Sequence, residues 1–141
     1  MGKAFALRSV IVTRIGGRLV LVVEDDLSIR NVLEDALVDR GFRVVTADNG
    51  ADAIERLEFV QPDVVLLDLL MPVMNGWDFM ESYAGKTGGK ALPIVVVTVN
   101  PALPRSFNGF GVRQVVAKPF KIDELIEAIE GALQPVPAGT L

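Results

Sequence analysis

The stretch "VVLLDLLMP", Val64 to Pro72, sets one aspartate between two pairs of leucines. A charge left inside an apolar run is costly unless it is paired or reaches water, so Asp68 marks a place where the chain leaves apolar surroundings. The four residues before it fall far short of the roughly 18 uninterrupted apolar residues that a membrane span needs. Val64 to Leu67 therefore reads as a strand buried on both faces, and so do Leu19 to Val23 and Ile94 to Val97.

Working outward, apolar runs alternate with amphipathic stretches from Arg18 onward, the pattern of strands joined through helices into a parallel sheet. After the first run, Ser28 is placed to cap a helix whose apolar positions Ile29, Val32, Leu33, Ala36 and Leu37 follow the i, i+3, i+4 spacing, with Gly41 as its stop. Arg43 to Ala47 is the second strand. Asn49 and Gly50 open a short helix that turns Ala53, Ile54 and Leu57 inward. Pro62 and Asp63 lead into the third strand, and a Pro-Val-Met-Asn-Gly turn delivers the chain to a helix near Trp77 to Tyr83. Pro93 to Thr98 and Gln114 to Ala117 are the last strands, and Ile122 to Leu133 the last helix. Between those strands, "VNPALPRSFNGFGVR" carries Pro101, Pro104, Gly109 and Gly111, which limits any regular helix to about two turns.

Half of the 141 residues are apolar, enough for one domain with a core of its own. Cysteine and histidine are both absent. Without them there is no disulfide, zinc-thiolate site, imidazole metal site or histidine-based triad, so carboxylates, hydroxyls, lysines and a bound metal must carry any chemistry. The lack of cysteine fits a reducing compartment, and the expected location is cytoplasmic. A net charge of −4 speaks against direct nucleic-acid binding. Lys3, Arg8, Arg14 and Arg18 stand in an acid-free opening segment, which leaves 10 basic against 18 acidic residues in the remainder, a net of −8. Residues 1–17 read as an N-terminal extension rather than a targeting peptide, because arginines interrupt any signal-peptide core and Ala6 stands where a myristoylation motif needs Ser or Thr. Residues 18–134 form the domain and 135–141 a C-terminal tail.

In an open parallel sheet, ligands bind beyond the carboxyl ends of the strands. Glu24, Asp25 and Asp26 leave the first strand, Asp68 ends the third, Thr98 ends the fourth, and Lys118 follows the fifth. Each has a bland reading alone: helix-capping acids, a turn aspartate, a β-favouring threonine, a surface lysine. Four strand ends that supply acid, acid, hydroxyl and ammonium at one pole point instead to a site. Gathered carboxylates repel unless a hard divalent cation neutralises them, and Mg2+ suits a few carboxylates plus phosphate oxygens. Asp68 can then attack phosphorus, with Lys118 balancing charge and Thr98 donating a hydrogen bond.

These residues resemble a known family, the receiver domains of two-component response regulators, the CheY-like superfamily. "LVLVVEDDLSIRNVLEDAL" is similar to the family's first strand, acidic pair and first helix, and "PDVVLLDLLMPVMNGWDFM" to its phosphoacceptor signature. "LPIVVVTV" and "VVAKPF" resemble the hydroxyl-bearing strand and the lysine-proline junction. The resemblance spans about residues 18–134. It implies an α/β, doubly wound, flavodoxin-like fold: a five-stranded parallel sheet in the order 2-1-3-4-5 with helices on both faces, here with a shortened or irregular fourth helix.

The resemblance also implies roles. Asp68 accepts a phosphoryl group from a sensor histidine kinase or phosphotransfer protein. Glu24 (through water), Asp25, Asp68 and the backbone carbonyl of Leu70 hold Mg2+. Thr98 is the switch hydroxyl, Lys118 the phosphoryl counter-ion, and the Lys118–Pro119 bond is cis. The chain is expected to act as a switch toward an unidentified downstream protein, as a monomer or weak homodimer, away from the membrane. It is expected to catalyse only its own phosphorylation and dephosphorylation, because only eight residues follow Leu133 for an output domain; an excised piece of a longer chain would read the same way.

The sequence departs from the family at Val115, where many receivers carry an aromatic, and in the short Pro- and Gly-rich fourth-helix region. Leu70 and Asn100 occupy positions that influence attack by water in the family. Bulky Leu70 is expected to obstruct that water and lengthen the phosphorylated state; an unchanged or slower dephosphorylation rate in Leu70→Asn would sink the idea. The alternative function is a receiver-shaped interaction module that works without phosphorylation. A haloacid-dehalogenase-type phosphatase would need an aspartate where Leu70 stands, and a nucleotide enzyme would need a P-loop, which the sequence lacks.

Overall fold

Five short strands run parallel in one sheet, in the order β2-β1-β3-β4-β5. The computed structural model describes residues 17–69, 75–87, 92–99 and 111–134, with the backbone alone at 77 and 84–87. The elements are β1 (Leu19–Val23), α1 (Leu27–Asp39), β2 (Arg43–Ala47), α2 (Gly50–Arg56), β3 (Val64–Asp68), α3 (Gly76–Thr87), β4 (Ile94–Thr98), β5 (Val112–Ala117) and α4 (Ile122–Leu133). The expected fold class and strand order are borne out. Expectations about residues 100–110, including the irregular fourth helix, and about Leu70 and both chain ends lie outside the described residues.

β1, β3 and β4 are buried along their whole length. Successive side chains alternate between faces, so each strand feeds two cores. Val20, Val22, Val64, Leu66, Val95 and Val97 pack with Leu33 and Leu37 of α1 and with Leu125, Ile126 and Ile129 of α4. Leu21, Val23, Val65, Leu67, Ile94 and Val96 pack with Ala53 of α2 and with Phe79 and Met80 of α3. Uninterrupted runs of Val, Leu and Ile are what a strand covered on both sides requires. The edge strands are less buried, and in β5 only Val116 is fully so.

Gly41 ends α1 at φ +93°, a conformation that a side chain would disfavour. Its N–H donates to the Val38 carbonyl at 3.0 Å while the Phe42 N–H donates to the Leu37 carbonyl at 3.1 Å, and the chain turns into β2. The start of α1 differs from expectation. Asp26, not Ser28, is the cap: its Oδ1 accepts from the Ile29 N–H at 3.0 Å, and Ser28 lies in the first turn. Ile29 and Val32, expected on the buried face, are 37% and 58% exposed. They line an open apolar groove with Val99, Pro119 and Phe120.

Candidate functional site

The sheet register brings the polar residues to one end. Val23 pairs with Leu67 and Asp68 with Val97, so the residue after β1, the last of β3 and the last of β4 leave the sheet side by side. Glu24 and Asp68 are only 4% and 7% exposed, and Thr98 is 5%. Carboxylate oxygens of Glu24, Asp25 and Asp68 all lie within 4.8 Å of one another. Lys118 leaves β5 beside them, its Nζ 3.1 Å from Asp68 Oδ2 and 3.6 Å from Glu24 Oε1. The Lys118 N–H donates to the Thr98 carbonyl at 2.8 Å, and the Lys118–Pro119 bond is cis.

The charges are unbalanced. Burial foremost pushes the Glu24 carboxyl up to about 7, helped by its hydrogen bond with Asp25 and the negative charge of Asp68, against the opposing Asp26 N–H and Lys118. Burial alone would pull Lys118 down, but the hydrogen bond and charge of Asp68, with Glu24 adding to them, hold it above the ordinary lysine value. Among the described residues, one ammonium faces three carboxylates. The donors are all hard oxygens, two of the three acids are buried, and all converge on one small volume, a set that fits a divalent cation such as Mg2+ better than a soft metal.

The acidic triplet divides its labour. Glu24 and Asp25 join the cluster, whereas Asp26 caps α1 and donates its N–H to Glu24 Oε2 at 3.3 Å. The Glu24 N–H donates to the Ala47 carbonyl at 3.1 Å, and its carbonyl accepts from Arg30 Nη1 at 2.8 Å.

Two contributors were not singled out from the sequence. Arg30 is one letter of the first-helix stretch, with no motif of its own. Gly76, which opens α3, packs so closely on the end of β3 that an added Cβ would sit 2.9 Å from Leu69 Cα and 3.1 Å from the Asp68 carbonyl oxygen. A glycine eight residues past a strand-end aspartate is a sequence signal, but the close approach that explains it is tertiary.

Residues 20–130 match the family model described as response regulator receiver domain. The chain is 37% identical over 117 residues to the DNA-binding transcriptional regulator NtrC of Escherichia coli K12, covering 82% of this chain and 24% of that protein. It is 30% identical over 117 residues to the probable transcriptional regulatory protein SilR of Salmonella typhimurium, covering 82% of this chain and 50% of that one. The chain thus spans between a quarter and a half of these relatives. Among solved structures, the chemotaxis response regulator CheY4 of Vibrio cholerae is similar at a TM-score of 0.73 and 29% identity, covering 82% of this chain and 98% of that one. The response regulator TrrA of Thermotoga maritima, solved in complex with Mg2+ and BeF, reaches a TM-score of 0.70 at 28% identity, covering 82% and 99%. With a parallel 2-1-3-4-5 sheet whose ends gather two acids, an aspartate, a threonine and a lysine, the chain belongs to the family of response regulator receiver domains of two-component systems.

Proposed function

We propose that this chain is a phosphoryl-accepting switch that takes phosphate from the phosphohistidine of a partner histidine kinase or phosphotransfer protein onto Asp68. One observation carries the reading: three carboxylates converge within 4.8 Å, and a lysine ammonium stands 3.1 Å from the one that ends β3. A carboxylate oxygen of Asp68 attacks phosphorus, the bond to the donor imidazole breaks, and an aspartyl phosphate results. Burial at the end of a fully covered strand holds the attacking oxygen in place. Lys118 is positioned to balance charge on the transferred group, and Thr98 to donate its hydroxyl to it. Mg2+ would be held by Glu24, Asp25, Asp68 and the Leu70 carbonyl, and it supplies neutralisation of the phosphoryl oxygens.

The phosphorylated form then differs in affinity for a downstream protein. Among the described residues no helix is long and apolar enough to cross a membrane. Together with the absence of cysteine, this supports action in the cytoplasm, apart from membranes. The acidic net charge supports signalling by protein contact rather than nucleic-acid contact from this segment, as a monomer or weak homodimer. Residues 18–134 form the receiver, flanked by an extension and a tail.

The test is incubation with acetyl phosphate and Mg2+ followed by intact-mass measurement. Wild type gains one phosphoryl group and Asp68→Asn gains none. A wild-type protein that gains nothing would favour the phosphorylation-independent interaction module.

A further inference from the structure

Arg30 stands behind the acidic loop. Its side chain is only 13% exposed, and its Nη1 donates to the Glu24 carbonyl at 2.8 Å while lying 3.3 Å from Asp48 Oδ1 in the β2–α2 loop. Glu24 is therefore held through its backbone as well as its side chain: its N–H by Ala47, its carbonyl by Arg30, its carboxylate by the Asp26 N–H and Lys118. The carbonyl of Glu24 shares a peptide plane with the nitrogen of Asp25. Fixing that plane fixes the two Cα atoms from which both acidic side chains leave the backbone. A guanidinium suits the task, because the two N–H groups of its Nη1 can face a carbonyl and a carboxylate together. Asp48 also offsets the positive charge that would otherwise face an incoming cation.

We propose that Arg30 is a positioning residue for the divalent-cation site, orienting the Glu24–Asp25 peptide so that both carboxylates converge with Asp68, and that Asp48 anchors it from the β2–α2 loop. The inference rests on the metal-assisted reading above. Outer partners of metal ligands commonly contribute about 10-fold or more to affinity.

The test is calorimetric titration of the full chain with Mg2+, paired with thermal unfolding in chelator. Arg30→Met should bind Mg2+ about 10-fold more weakly, and Arg30→Lys should recover part of that loss. Both should unfold in chelator close to wild type. Asp48→Asn should weaken Mg2+ binding in the wild-type background and have little further effect in Arg30→Met, because it acts through the arginine. Wild-type affinity in Arg30→Met overturns the inference. So does a loss of affinity matched by an equal loss of stability in chelator with no recovery in Arg30→Lys, which would mark a packing role. Should Arg30→Met fail to fold, unchanged affinity in Asp48→Asn overturns it. A wild-type chain that binds no Mg2+ fails earlier, taking the metal-assisted reading down with the inference.

Discussion

Asp63 and Asp68 flank the same strand and lead opposite lives. Asp63 precedes β3 at the amino-end pole, where its Oδ2 accepts from the Leu19 N–H at 2.7 Å and its own N–H donates to the Leu19 carbonyl at 2.8 Å. Its side chain is 38% exposed, with Arg18 at 3.9 Å. Asp68 ends β3 at the other pole, 7% exposed and crowded by Glu24 and Asp25. One carboxylate is satisfied by a backbone N–H with an arginine nearby, and it ties β1 to β3. The other is held among like charges, with Lys118 beside it. Residue type does not separate them; the end of the strand each occupies, and the company it keeps there, does.

The largest effect should come from exchanging their fates. Asp68→Asn abolishes the phosphoryl mass gain, while Asp63→Asn leaves it intact; a gain that depends on Asp63 would break the comparison. Next in size is pH. Glu24 carries a folded-state value of about 7 against an ordinary 4.5, so between those values the folded chain holds more protons than the unfolded one. Stability in chelator should then fall as pH rises from about 4.5 to 7, by an amount on the order of 2 kcal/mol. Mg2+ should reverse the trend by preferring the ionised carboxylate. Urea unfolding at both pH values with and without Mg2+ checks this, and a flat profile in chelator refutes the strained half of the comparison.

At the relaxed pole, Asp63→Ala should cost about 2 kcal/mol, because it leaves the largely buried Leu19 N–H without its charged acceptor. Asp63→Asn should cost less, since an amide oxygen can still accept. Denaturant midpoints distinguish the two. Gly76→Ala should have the smallest stability effect, about 1 kcal/mol or somewhat more, from forcing α3 off the Asp68 turn. It should also slow phosphorylation by acetyl phosphate. A variant as stable and as fast as wild type would show that the close approach does not position Asp68.

Much of the fold was legible in the sequence because three strands are apolar throughout and the helices are periodic. β1, β3 and α4 fall where the patterns place them. The site residues were legible because they sit at strand ends, and a parallel sheet sends all such ends to one pole. The failures share a cause. Periodicity counts apolar spacing but not what lies opposite, so Ile29 and Val32 read as core yet stand exposed beside a groove. "DDLS" offers several capping residues, and only the hydrogen bond from the Ile29 N–H to Asp26 identifies the cap.

By itself, then, the sequence determined the strands, their parallel arrangement and the residue types gathered at the carboxyl end, since these follow from local hydrophobic pattern and chain direction. Only the tertiary structure decided that Glu24 is buried beside Asp68 while Asp26 is drawn off to cap a helix, that Arg30 grips the loop behind them, and that Gly76 must be small. Burial, charge balance and close contact depend on residues far apart in the chain, and folding alone brings them together.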